Sequence, residues 1–190
     1  MTIIRTKIYD GDFYWFQKYS NYIQHGNVLK VGYGLGYASY FIQLFNGACT
    51  SVDIVLHPGS VRTKDVRIYD GKLLPFQDHS FDAVLCIMTL HHIDNWEHIF
   101  REMLRVTRKN IIIVEETHNT IWQKLFLVYN CWLMNALAGQ GVDIHWNSYL
   151  SVQKIDAIRR KYRLPIRRHF RVKTSMFFTE LFVLQKNAPL

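Results

Sequence analysis

From residue 28 to about residue 115, short apolar runs alternate with longer stretches of helical character. The runs VLKV (28–31), CTSVDI (49–54), VRIY (66–69), DAVLCI (82–87) and NIIIVE (110–115) have the length and the β-branched content of strands. The stretch YASYFIQLF after the first run reads as a helix. This alternation predicts an α/β fold, a Rossmann-like doubly wound sheet with helices on both faces. The connection VLHPGSVRTKD (55–65) holds Pro58 and Gly59, so a covering helix there is very short or absent.

Outside this region the pattern changes. An aromatic-rich helix is predicted over Phe13–Gln24, a long apolar segment over Ile121–Ala138 and a helix over Val152–Tyr162. The runs IRRHFRV (166–172) and FFTELFVLQ (177–185) have strand composition and are close enough to pair antiparallel, which would finish a mostly parallel sheet at one edge. The chain reads as a single domain over 1–190: an N-terminal helical segment (1–27), a ligand-binding core (28–116), a helical lid or insert (117–163) and a C-terminal strand pair (164–190).

Composition adds three constraints. The 190 residues, 49% apolar and 15% aromatic, suffice for one buried core. Cys49, Cys86 and Cys131 are odd in number and set in apolar runs, without a CxxC pair. With no apolar leader at the N-terminus, the expected location is a reducing one, the cytoplasm. The net charge of +8 is unevenly placed: residues 151–190 hold 10 Lys/Arg against 2 Asp/Glu, while the first 150 balance at 13 and 13.

Ligands of open α/β sheets sit at the carboxyl ends of the strands, near the point where strand order reverses. The first run ends in Gly32-Tyr33-Gly34-Leu35-Gly36 and leads into a helix, a turn that lets backbone approach a ligand and offers unpaired N–H groups. The second ends in Asp53-Ile54, where an acid can accept hydrogen bonds from two ribose hydroxyls. Asp70-Gly71 follows the third and Ile87 ends the fourth.

The succession VLKVGYGLG, VDI, YDGKLLPFQDHSFDAVLCIMTLHHI and IFREMLRVTRKNIIIVEE, over residues 28–116, resembles the class I S-adenosylmethionine-dependent methyltransferases, in particular the small group with an LPF…SFD…LHH…E…R signature. The resemblance implies S-adenosyl-L-methionine as cofactor. It would place Gly32, Tyr33, Gly34 and Gly36 around the methionine portion, Asp53 and Ile54 at the ribose, Asp70 and Gly71 at the adenine, and Ile87 against the cofactor through its backbone. One departure lies close to that site: the group usually has an acid on the first strand where this chain has Lys30. A lysine there would either meet the cofactor's carboxylate or weaken binding by facing its cationic groups.

The cofactor carries the reactive group, so the chain needs chiefly to align an acceptor and exclude water. Candidate proton-transfer residues on the same rim are His91 and His92, Glu116 and His118, and His145 with Tyr149; of these His91, His118 and His145 are the leading catalytic candidates. Adjacent histidines are expected to point apart, and no metal is expected.

Segment 121–138 reads as a buried helix, as a subunit contact in a homodimer, or as a lid over a small apolar or aromatic acceptor. It is too broken for a transmembrane helix. The basic residues between 159 and 173 admit a nucleic-acid partner, and with it an RNA methyltransferase, or else a solvated helix face and a charge-guarded edge strand. Two absences, an NPPY-like motif and a proline before Cys86, argue against nucleobase chemistry. A third reading, from Lys30, is an inactive relative that binds or regulates.

Overall fold

The computed structural model describes residues 2–138, 145–174 and 177–186. Its element order is α1 (Thr2–Tyr19), β1 (Val28–Val31), α2 (Tyr37–Asn46), β2 (Cys49–Asp53), β3 (Val66–Ile68), β4 (Phe81–Ile87), α3 (Trp96–Val106), β5 (Thr107–Thr117), α4 (Ile121–Ala138), α5 (Val152–Lys161), β6 (Ile166–Thr174) and β7 (Phe177–Gln185). Short 3₁₀ turns occupy Ser20–Tyr22, Leu90–His92 and Trp146–Ser148.

The strands form one sheet in the order β3-β2-β1-β4-β5-β7-β6. The first five are parallel, and β7 and β6 close the edge antiparallel. Strand order reverses between β1 and β4, which opens a crevice beyond their carboxyl ends.

Side chains alternate across the sheet with a period of two. Leu29, Val31, Val84, Cys86, Ile111 and Ile113 point to one face, where Ile99, Phe100 and Met103 of α3 and Ile155 and Ile158 of α5 cover them. Val28, Ala83, Leu85, Ile87, Ile112 and Val114 point to the other, under Trp15, Phe16 and Tyr19 of α1 and Phe41 and Ile42 of α2. Both faces are buried, so the central strands are largely apolar, with Lys30 the exception in β1. No helix covers residues 54–65, as Pro58 and Gly59 require.

The N-terminal helix departs from expectation. It runs Thr2–Tyr19, where the sequence predicts Phe13–Gln24, because Asp10-Gly11-Asp12 reads locally as a turn. Tertiary contact overrides that tendency: Tyr9, Phe13 and Phe16 all pack against the Phe41 ring at 4.9–6.1 Å between centroids. A β-carbon at Gly11 would meet nothing within 4 Å, so the glycine is tolerated. The helix then ends in a 3₁₀ turn, and His25 takes a left-handed conformation (φ 57°) that turns the chain toward β1.

Candidate functional site

The carboxyl end of β1 carries the glycine turn. Gly32 has φ +76°, and a β-carbon there would lie 2.3 Å from the Thr89 hydroxyl oxygen, so its glycine is demanded by packing against the end of β4. Gly34, at φ +56°, faces open space with nothing within 4 Å, and here the bare backbone is presented to whatever fills the crevice. Gly36 starts α2 and caps it with its carbonyl, away from the crevice wall.

Asp53, at the end of β2, holds this turn. Its Oδ2 accepts from the backbone N–H of Tyr33 at 2.6 Å and of Gly34 at 3.0 Å, and its Oδ1 from Ile54 N–H at 2.7 Å. Tyr33 in turn ties the 54–65 loop to the turn, its hydroxyl donating to the Val61 carbonyl and accepting from Thr63 Oγ1.

Beyond the turn lies a cavity of about 650 Å³, in the range of small-molecule and cofactor sites. Gly32, Tyr33, Gly34, Asp53, Ile54, Gly71 and Ile87 all line it. Asp70 does not. It is exposed, and its Oδ1 accepts from the N–H groups of Lys72 (2.9 Å) and Leu73 (3.2 Å), which hold its carboxyl below the usual range and shape the turn that presents Gly71.

Lys30 is buried in the cavity wall, 3% exposed, and its ammonium donates to the carbonyls of Val31 and Gly32. The opposing charge comes from α1. Asp12 lines the same cavity; burial pushes its carboxyl up to about 6, while Lys30 and the Ala38 N–H pull in the opposite sense. Nothing in the local pattern around Asp12 marks it as a site residue, since only the tertiary placement of α1 brings it here.

Of the three leading catalytic candidates, the structure brings only His91 to the cavity. Its Nδ1 lies 2.6 Å from Oε2 of the buried Glu115. Desolvation opposes the charged ring, but Glu115 and Cys131 outweigh it and raise His91 to about 10. Glu115 Oε1 accepts the N–H groups of Thr89 (2.7 Å) and Leu90 (2.6 Å) and so fixes the 3₁₀ turn that carries the histidines.

His118 lies off the wall with its Nε2 buried and unpartnered, lowered by burial and by Lys124. His145 sits 3.9 Å from Asp94 at the surface. Glu116, the other acid of this strand end, does line the cavity; its carboxylate makes no hydrogen bond among the described residues, and burial pushes it up to about 7. The two adjacent histidines, expected to point apart, have rings 4.1 Å between centroids and both line the cavity, because the 3₁₀ turn does not alternate side chains as a strand does.

The remaining wall comes from α4. Asn130, Cys131, Met134 and Asn135 face the cavity, while Trp122, Leu125, Tyr129 and Trp132 are exposed on the outside. Two polar interruptions of this apolar segment, Asn130 and Asn135, thus point inward, whereas Gln123 bonds to the backbone before the helix and Lys124 lies over the Trp146 ring. Among the described residues no helix is long and apolar enough to cross a membrane.

The LPF loop and the acid and arginine of α3 form a structural clamp outside the cavity. Arg105 pairs with Glu102 (2.7 Å) and Asp78 (2.8 Å) and donates to the carbonyls of Leu74 and Phe76, while Glu102 accepts the Leu74 N–H.

Residues 29–114 match a family model described as a methyltransferase domain. A demethylmenaquinone methyltransferase of Corynebacterium urealyticum is 28% identical over 136 residues, 70% of this chain and 59% of that protein. One of Streptomyces griseus is 34% identical over 85 residues, 43% of this chain and 36% of that protein. The chain therefore spans less than two thirds of the length of these relatives.

Among solved structures, an S-adenosylmethionine-dependent methyltransferase from Methanosarcina mazei superposes with a TM-score of 0.63 at 17% identity, covering 90% of this chain and 97% of that one. The magnesium protoporphyrin IX methyltransferase of Synechocystis with bound S-adenosylhomocysteine gives 0.63 at 15% identity, covering 97% and 84%. Domain match, sheet order and the glycine turn at the switch point agree: residues 29–114 are those of a methyltransferase domain, set in the fold of the solved S-adenosylmethionine-dependent methyltransferases.

Proposed function

We propose that this chain transfers the methyl group of S-adenosylmethionine to a small, apolar or aromatic acceptor held under α4. The observation that carries this reading is the single cavity that runs from the bare backbone at Gly34 to the inward face of α4, so that one chamber serves cofactor and acceptor. The names of the two relatives support a quinone-like acceptor.

The residues present fit the cofactor. Gly34 supplies a cradle that a β-carbon would fill, and Oδ1 of Asp53, which accepts only the Ile54 N–H, keeps acceptor capacity for a ribose hydroxyl, while Oδ2 already holds the Tyr33 and Gly34 N–H groups. Ile54 and Gly71 would border the adenosine and Ile87 would pass beneath it. Lys30 would meet the carboxylate of the methionine portion and Asp12 its ammonium.

Bound there, the cofactor supplies an electrophilic methyl carbon on a sulfonium. The chain's own work is to exclude water, to orient the acceptor and to take its proton. His91, held by Glu115 and raised to about 10, is already protonated at neutral pH and is a poor base. Glu116, unpartnered and raised to about 7, is suited to accept the proton of a hydroxyl acceptor.

Part of the basic stretch pairs with acids of the chain itself: Arg159 and Arg160 with Asp156, Lys161 with Glu97, and Arg171 with Glu180.

Calorimetry with S-adenosylmethionine and S-adenosylhomocysteine, followed by methyl transfer to a panel of naphthol and quinol acceptors, tests the proposal. Saturable binding of both and turnover of an aromatic hydroxyl are expected, with kcat reduced about 100-fold in Glu116→Gln. No binding at millimolar cofactor would sink the enzymatic reading in favour of a regulatory one.

A further inference from the structure

We propose that His91, His92 and Cys131 form a site for a transition-metal ion of borderline softness, of which zinc is the type, on the wall of the cavity. Each residue offers one ligand atom, and the three atoms lie within 4.8 Å of one another. Cys131 Sγ and His92 Nε2 are 3.9 Å apart. Two such ligands on a tetrahedral zinc, at about 2.3 and 2.0–2.1 Å from the ion, span about 3.6 Å. A closure of a few tenths of an ångström completes that edge.

The surroundings are those of a built ligand set. The Nδ1 of His91 is occupied by Glu115 at 2.6 Å, which leaves Nε2 as the nitrogen it offers once the ion displaces the proton there, and a carboxylate behind a histidine is the arrangement that orients such ligands and raises their basicity. Glu115 is itself pinned by the Thr89 and Leu90 N–H groups, so the orienting group does not move. Asn135 Nδ2 donates to Cys131 Sγ at 3.3 Å, an interaction that favours a thiolate. The Nδ1 of His92 is buried and has no partner, which leaves that ring unanchored except through its Nε2 beside the sulfur.

A mixed nitrogen and sulfur set of this kind suits zinc or its spectroscopic substitute cobalt(II), and disfavours magnesium or calcium. All three ligands line the cavity. The fourth position therefore opens into the chamber, as in sites where the metal takes an exchangeable ligand. The site stands independently of which acceptor, if any, the chain methylates.

The test is a cobalt(II) titration of the untagged, chelator-treated full chain, followed by its thiolate-to-cobalt charge-transfer absorption and by displacement with zinc. One ion per chain with that absorption is expected, lost in Cys131→Ser and retained in Cys49→Ser, whose sulfur is remote from the cluster. His92→Gln, which removes a half-buried ligand, keeps the test decisive should Cys131→Ser fail to fold, and is expected to weaken binding at least 10-fold. Glu115→Gln, which keeps an acceptor for the two N–H groups, is expected to weaken binding 10- to 100-fold. Absence of the charge-transfer absorption in the wild-type chain, or its persistence unchanged in either ligand variant, overturns the proposal.

Discussion

Asp12 of α1 and Lys30 of β1 line the same cavity with opposite charge, and Lys30 acts on the Asp12 carboxyl against the effect of its burial. Lys30 is pinned by the Val31 and Gly32 carbonyls, and Asp12 keeps a desolvated carboxyl facing it, with the Ala38 N–H and the buried Tyr19 as its other neighbours. The sequence leaves Lys30 either to meet the cofactor's carboxylate or to oppose its cationic groups. The fold surrounds it with backbone acceptors and brings an acid from another element.

This pair has a pH signature. A carboxyl raised from 3.8 to about 6 binds its proton more tightly in the folded state, so its burial costs nothing below about pH 4. The cost grows as pH rises and is complete above about pH 6, where it is bounded at about 3 kcal/mol. Asp12→Asn is accordingly expected to raise the midpoint of denaturant unfolding at pH 7.5 and to leave it unchanged at pH 4. The same substitution is expected to weaken cofactor binding about 10-fold in calorimetry, because the carboxylate proposed to meet the ammonium is gone. A variant no more stable at pH 7.5 than at pH 4, relative to wild type, contradicts this account of Asp12.

Lys30→Met separates the two roles assigned to the lysine. Removing its ammonium leaves the Val31 and Gly32 carbonyls without that donor, at a cost of about 1–3 kcal/mol in chemical unfolding. If Lys30 meets the cofactor's carboxylate, affinity for S-adenosylhomocysteine falls with it, about 10-fold or more. A gain in affinity would show instead that the lysine opposes binding.

How much of this was legible in the sequence depends on whether a feature is local. The strands were, because burial on both faces makes Ala83–Ile87 and Ile111–Val114 apolar without interruption and leaves Val28–Val31 broken only by Lys30. Gly32, Gly34 and Asp53 were legible as a turn and an acid at successive strand ends. Asp12 was not, since its helix is placed by aromatic contacts with Phe41 that no local pattern encodes. Cys131 joins His91 only through the packing of α4, 40 residues away in the chain, and the reading of adjacent histidines as divergent assumed an extended backbone where a 3₁₀ turn forms. The acid and arginine of the signature carried no indication of role until the clamp on the LPF loop was seen.

The glycines divide by what faces them. Gly32→Ala drives a β-carbon to 2.3 Å from the Thr89 side chain at positive φ, and is expected to cost about 3 kcal/mol or more, with the loss visible in thermal unfolding without any ligand. Gly34→Ala meets no atom within 4 Å and pays only the left-handed backbone cost of about 1–2 kcal/mol. Its methyl group enters the space proposed for the cofactor, so binding is expected to fall at least 10-fold while the protein stays folded. Equal loss of stability in the two variants would contradict the placement of Gly34 at open space.

Arg105 supplies the last test, of stability without chemistry. Its guanidinium joins Glu102, Asp78 and the Leu74 and Phe76 carbonyls, fastening the LPF loop to α3 at a distance from the cavity wall. Arg105→Met leaves the nearly buried Glu102 carboxylate uncompensated and two carbonyls without this donor, which is expected to cost about 2–4 kcal/mol in chemical unfolding. Glu102 is held below its usual range chiefly by Arg105, with burial opposing, so the stability it contributes is present at neutral pH and is lost as pH falls below about 4.5. The difference between wild type and variant should therefore shrink on acidification. Cofactor affinity of the folded variant is expected to stay within about twofold of wild type, because the clamp touches neither the glycine turn nor Asp53; a loss of binding larger than the loss of folded protein would place Arg105 in the site after all.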